Sequence, residues 1–150
     1  MVTPRFPSTG TFARTESGWV PASYLRCHEP PRFILRFADH AAWDSWRDRG
    51  EMSRRWERGM GLIEVDQEAV VEMVQVERVG RYRGLAVRQL SLRDGWVTVT
   101  PLSSAEDAGE DLGFRGSARW GDRDKRIPVE ELVDVQEEIT VLYRRGEGWT

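Results

Sequence analysis

Cysteine, lysine and histidine are nearly missing from this 150-residue chain: Cys27, Lys125, His28 and His40 are the only examples of the three types. A lone cysteine excludes an intramolecular disulfide and a cysteine-based zinc site. A metal centre needs three or four converging ligands. The only groupings offering them are Cys27-His28-Glu29 and Asp39-His40-Asp44, where His40 and Asp44 stand at i, i+4. No Gly-x-Ser-x-Gly elbow and no glycine-rich phosphate loop occurs, which removes the motifs of the common hydrolases and nucleotide binders. Cys27 beside His28 is the one adjacent nucleophile–base pair, and neighbours on an extended chain point apart. No apolar run approaches the roughly 20 residues of a membrane-spanning helix. The first ten residues contain no apolar signal-like core. These absences predict a cytoplasmic protein with no cofactor, no metal and no membrane contact.

Charge is abundant but nearly balanced, with 22 basic and 25 acidic residues and a net charge of −3. That balance selects no partner class. Residues 101–150 hold seven basic and twelve acidic groups, so the acidity gathers late in the chain. Carboxylates that interrupt apolar stretches, Glu64, Glu72 and Asp134, are the candidates for acid–base work. Each reads more simply as an outward-facing strand residue.

The clearest structural signal is Leu90 to Thr100, Leu-Ser-Leu-Arg-Asp-Gly-Trp-Val-Thr-Val-Thr. Asp94-Gly95 suits a type I′ turn, which needs positive φ at both positions. The implied register sets Arg93 opposite Trp96, Leu92 opposite Val97, Ser91 opposite Thr98 and Leu90 opposite Val99. Aliphatics then share an inner face, and Arg93 and Trp96 share an outer one. A β-bulge near Arg88-Gln89 reconciles this phase with that of Leu85 and Val87.

Elsewhere the pattern predicts a loosely ordered arm over residues 1–11 and a hairpin turning at Glu16-Ser17-Gly18. A strand follows at Phe33–Phe37, then a helix from His40 to Arg49 capped by Asp39. A second helical turn is expected over Arg54–Arg58, capped by Ser53. Strands are expected at Leu62–Val65, Val70–Val79, Phe114–Trp120, Val133–Gln136 and Glu138–Arg144, with one helical turn after Pro128. The loop over Ser103–Gly113 is acidic. The fold class is α+β, mainly antiparallel β: a curled sheet or partial barrel of about eight short strands with one N-terminal helical region packed on it. One domain is expected, with a strand-helix-strand part over residues 12–66 and an antiparallel part over residues 69–145.

Ser17 to Leu25, Ser-Gly-Trp-Val-Pro-Ala-Ser-Tyr-Leu, resembles the end of an SH3-type barrel. That resemblance implies that Trp19, Pro21 and Tyr24 line a groove for proline-rich peptides. The strand-then-capped-helix at residues 33–49 resembles the first half of a ferredoxin-like repeat, although no second copy appears.

Two binding functions compete, with an enzyme of unrecognised site as a third reading. Five arginines (Arg78, Arg81, Arg83, Arg88, Arg93) and Tyr82 stand between residues 78 and 93 with no acid among them. Arginines and an exposed aromatic on an antiparallel sheet suit a nucleic acid. Seven tryptophans in 150 residues suggest instead surface hot spots for a protein partner, heterologous or self. The second reading is preferred: a non-enzymatic protein-binding module, such as an inhibitory or immunity-type partner or a subunit of a phage or secretion assembly. The residues expected to carry it are Trp96, Arg93, Tyr82, Arg81 and Arg83, with a cation–π contact expected between Arg93 and Trp96.

Overall fold

The computed structural model describes residue 6 and residues 8–25, 30–103, 109–114 and 123–150. Among these the fold is mostly antiparallel β with little helix. In chain order run β1 (Gly10–Thr15), β2 (Gly18–Leu25), β3 (Arg32–Phe37), α1 (His40–Ser45), β4 (Glu51–Glu57), β5 (Met60–Asp66), β6 (Glu72–Tyr82), β7 (Leu85–Arg93), β8 (Trp96–Pro101), β9 (Lys125–Pro128), β10 (Val133–Arg144) and β11 (Gly148–Trp149). Eleven strands among the described residues stand where about eight were expected. The expected strand at Phe114–Trp120 lies outside the described residues beyond Phe114. So do Cys27, His28, Glu29 and residues 104–108 of the acidic loop.

The chain forms two compact units, one of residues 1–10 and 76–139, the other of residues 11–75 and 140–150. In the second unit β4, β5, β3, β2 and β1 follow one another across the sheet, with the start of β6 beside β1. Ala13, Ala22, Phe33, Leu35, Ile63, Val65, Val70, Met73 and Tyr143 form its core. Alternation explains the selection: Phe33 pairs with Tyr24 and Val65, and Leu35 with Ala22 and Ile63, so every member points inward. Trp149 closes the cluster, with its ring 5.0 Å from Tyr24 and 5.1 Å from Tyr143. The last residues are therefore a short strand paired to β10 rather than a bare tail.

Asp39 caps α1 as expected, its Oδ2 accepting from the Ala42 amide at 3.0 Å. The helix stops at Ser45, not at Arg49, because Trp46 turns into extended backbone and is buried in the core. Arg54 takes up the carbonyls left at this end. Its Nη1 donates to Trp43 O and its Nη2 to Trp46 O, both at 2.8 Å, and it pairs with Glu51.

Residues 54–57 are not helical. They lie in β4, paired with β5 in the register Arg54–Ile63, Trp56–Gly61 and Glu57–Met60. The reversal is Arg58-Gly59, both left-handed with φ 52° and 74°, which is what a two-residue hairpin loop requires. Arg83-Gly84 does the same between β6 and β7, with φ 50° and 83°.

The first unit places β6, β7, β8 and β9 side by side over a core of Tyr82, Val87, Val97, Val99, Phe114, Ile127 and Leu132. One 3-10 turn, Val129–Glu131, follows Pro128 as the proline predicted. The two short strands expected near the end are one continuous β10 carrying a left-handed Asp134 with φ 53°.

At Gly61 the Trp43 indole lies directly over the Cα, and the side chain of any other residue would overlap it. Trp43 cannot yield freely, since its Nε1 donates to Leu62 O at 3.3 Å. Gly61→Ala is expected to destabilise the fold by about 1–3 kcal/mol, the usual cost of overpacking, as read from the urea unfolding midpoint. Gly59→Ala meets no neighbour and should cost only the smaller strain of its positive φ.

Candidate interaction surface

Asp94 and Gly95 are both left-handed, with φ 54° and 80°, and the hairpin closes with Arg93 opposite Trp96, Leu92 opposite Val97 and Ser91 opposite Thr98. The expected pairing fails one step further on. Gln89, not Leu90, stands opposite Val99, and Leu90 is the extra residue of a bulge. The bulge thus falls one to two residues beyond its expected place. Leu90 is turned out of the core at 39% exposure, and Gln89 is buried in its stead.

With that register fixed, the side chains sort by parity. Val97, Val99, Val87 and Ile127 face the core. On the opposite face, Arg93 stands across from Trp96 and Trp96 across from Pro128. Ser91 stands across from Thr98 and Thr98 across from Arg126, while Arg88 faces both Thr100 and Val79. Arg81, two residues beyond Val79, shares this face. Arg81, Arg88, Arg93 and Arg126 therefore share one sheet surface with Trp96 and two threonines, Arg93 and Arg126 at the Trp96 end and Arg81 at the far end. Glu77, two residues before Val79, is the one carboxylate that β6 to β9 place among them, and Arg88 holds it at 2.9 Å.

Trp96 is 43% exposed. Its cationic neighbour is Arg126, whose guanidinium lies 5.2 Å from the ring centroid. The expected partner, Arg93, instead reaches Asp94 in the turn at 3.9 Å. Three further apolar side chains gather at this hairpin and the chain beside it: Leu90, Leu92 at 43% exposure and Val129 at 40%. The Val129 amide donates to Gly95 O at 2.9 Å, which ties the 3-10 turn to the hairpin's end.

Two expected site residues belong elsewhere. Tyr82 is 1% exposed and cannot meet a partner. Its hydroxyl accepts from Lys125 Nζ at 2.9 Å, and that ammonium also donates to Leu112 O at 2.7 Å. Even parity on β6 puts Tyr82 inward, with Arg78 and Gly80. Arg83 sits in the turn with its guanidinium 5.3 Å from the Tyr82 ring and 3.7 Å from Glu131. Arg126, which is not among the residues expected to carry binding, is the residue that was missed. The signal was available in Ile127: an isoleucine bound for the core forces its neighbour outward.

Other candidates find ordinary roles. His40 contacts the rings of Trp43 and Trp56, with centroids 5.2 and 4.8 Å away. Among the described residues no cluster of ligating side chains could hold a metal. Glu64 pairs with Arg32 and Glu72 with Arg144, while Asp134 is exposed. In the SH3-like stretch, Trp19 and Pro21 alternate with the inward-facing Val20, Ala22 and Tyr24. The three groove residues are therefore split between two faces of β2. β5 lies between β3 and β4 and is antiparallel to both, which is the strand arrangement of a split β-α-β unit, and no second copy of it occurs among the described residues. No helix among the described residues is long and apolar enough to cross a membrane.

Compared with protein-family models, curated proteins and solved structures, the chain finds no match.

A double-mutant cycle distinguishes the two possible cation partners. Trp96→Ala combined with Arg126→Ala should show a coupling of about 0.5–1 kcal/mol, the range for exposed cation–π pairs. The cycle of Trp96→Ala with Arg93→Ala should show none, as measured by chemical denaturation.

Proposed function

We propose that this protein is a non-enzymatic protein-binding module that meets its partner at the β7–β8 hairpin, with Trp96 as the anchor. The observation that carries the reading is a large indole left 43% exposed at a hairpin end that also exposes Leu92 and Val129, with Arg93 opposite it and the Arg126 guanidinium against its ring. Interface hot spots are rich in Trp and Arg and sit within apolar surroundings that exclude water. Leu92 points to one face of the ladder and Trp96 to the other, so the apolar surface wraps round the end of the hairpin. That shape suits insertion into a partner's cleft. An inhibitory partner or an assembly subunit would use such a projection, and the arginines favour a partner with acidic residues around the cleft.

The tryptophan count itself supports this less than the position of one tryptophan. Trp46 is buried, and Trp43 and Trp149 pack against the core. Trp56 contacts Trp43 at 5.5 Å. Only Trp96 among the described tryptophans is largely exposed.

A second reading is supported by the four arginines and Trp96 on one open sheet face. That arrangement could neutralise phosphates and stack a base. Exposed leucines and valine at the same hairpin gain nothing from a nucleic acid, and so favour the protein.

Light scattering after size exclusion comes first, since self-association would identify the partner as a second copy. Otherwise, partners captured by the wild type are compared with those captured by Trp96→Ala. Loss of a hot-spot tryptophan should weaken the complex by about 2 kcal/mol or more, some thirtyfold in Kd. Equal recovery of every partner overturns the reading. Single-stranded DNA binding that falls steeply between about 50 and 200 mM salt, and is lost in Arg81→Ala/Arg126→Ala, would put the nucleic-acid reading in its place.

A further inference from the structure

The ladder between β6 and β7 runs from Tyr82–Leu85 to Val79–Arg88 and stops. Arg78 and Gln89 would form the next pair, but Thr9 stands between them. Its amide donates to Gln89 O at 3.2 Å. Its hydroxyl accepts from the Arg78 amide at 2.9 Å and donates to Arg78 O at 3.3 Å. Three residues earlier Phe6 is buried at 3% exposure. Its amide donates to Glu137 Oε2 at 3.1 Å, and its carbonyl accepts from Arg78 Nη1 at 2.8 Å.

Arg78 is 5% exposed. Desolvation lowers its pKa from the ordinary value, and the nearby Glu137 carboxylate opposes that shift. A buried guanidinium is costly unless paired, yet the atom this one holds is a main-chain carbonyl. Its Nε has no partner among the described residues. Glu137 likewise holds a main-chain amide. The slot thus grips both polar groups of one backbone residue and encloses a phenyl ring, and Thr9 links its two strands, with its hydroxyl on Arg78 and its amide on Gln89. Main-chain hydrogen bonds with a pocket for one side chain are how proteins recognise extended peptides.

We propose that the slot formed by Arg78, Gln89 and Glu137 is a binding site for a peptide segment bearing an aromatic residue and, three positions later, a threonine or serine. The chain's own Phe6 and Thr9 fill it in cis, and the same segment of a second copy fills it in trans. The site is separate from the Trp96 surface and does not depend on that reading. Tethering gives the cis segment an effective concentration of order millimolar, so exchange becomes visible when cis docking is weakened.

The test uses the full chain carrying Phe6→Ala and a fluorescently labelled peptide with the sequence of residues 1–12, followed by anisotropy. Saturable binding is expected to the Phe6→Ala chain, at least tenfold weaker binding to the wild type, and none when the peptide itself carries Phe6→Ala. Adding Glu137→Gln to the Phe6→Ala chain should weaken binding at least tenfold. A folded Phe6→Ala chain that takes up no peptide at about 1 mM, or one indifferent to Glu137→Gln, overturns the proposal. Hydrogen exchange on the wild type gives a test that needs no variant. The Thr9 amide should exchange well before those of Val97 and Val99, through local release of the segment. Exchange of Thr9 only with global unfolding would mean that the slot cannot change its occupant, and the proposal falls.

Discussion

Three tight reversals set almost everything else. Arg58-Gly59, Arg83-Gly84 and Asp94-Gly95 each hold two successive residues in the left-handed region. Each closes a hairpin whose first pair flanks the loop: Glu57–Met60, Tyr82–Leu85 and Arg93–Trp96. Because side chains alternate, fixing the first pair assigns each later residue to a face until a bulge, such as that at Leu90, resets the phase. In the first unit that assignment sends Tyr82, Val87, Val97 and Val99 inward and Arg81, Arg88, Arg93 and Trp96 outward. A slip of one residue would exchange the two sets, burying guanidiniums and exposing the core.

This explains which parts could be read from the residues alone. Asp-Gly is a strong turn signal because aspartate tolerates positive φ, so the central hairpin and its outward Trp96 were legible. Arg-Gly carries no such signal. The reversal at Arg58-Gly59 therefore went unseen, and Ser53-Arg-Arg-Trp-Glu, flanked by a plausible cap and glycines, looked helical. Pairing with β5 decides the matter against local propensity. The bulge was required by the phase change between Val87 and Leu92, but pattern alone does not choose which residue is extruded. Burying Gln89 and extruding Leu90 is a choice made where Thr9 hydrogen-bonds to Gln89. Tyr82 was misplaced because its arginine neighbours suggested a wet turn, whereas its even parity with Arg78 and Gly80 already placed it inward.

The arginines also need sorting before they count as recognition residues. Arg54 holds Trp43 O and Trp46 O, Arg78 holds Phe6 O, and Arg123 donates to Ser103 O at 3.0 Å. In each case a planar fork with several donors satisfies main-chain carbonyls that no regular ladder reaches. These three are braces in irregular stretches of a chain with little helix. What remains for a partner is the subset that strand parity turns outward. In the first unit that subset is Arg81, Arg88, Arg93 and Arg126 on one sheet face, while Arg14, Arg36 and Arg55 are exposed strand arginines of the second unit.

The sheet edges bear on how such a partner could be met. Among the described residues, β4 and β9 end the run of paired strands. β4 carries Glu51, Arg54, Arg55 and Glu57 and is bulged at Met52. β9 has only four residues and ends in Pro128. Charges, bulges, prolines and short length are the usual means of discouraging edge-to-edge pairing. Strand addition at either edge is thus opposed by the residues that occupy it, which shifts the burden of contact to side chains on faces and loop ends. Trp96 sits where this argument converges, at the closed end of a hairpin whose register is set two residues away. Its indole is held by Arg126 from one side and left open on the other. A side chain that could have been polar without loss to the core is instead the largest apolar group available, and contact with a partner gives it a physical reason to be there.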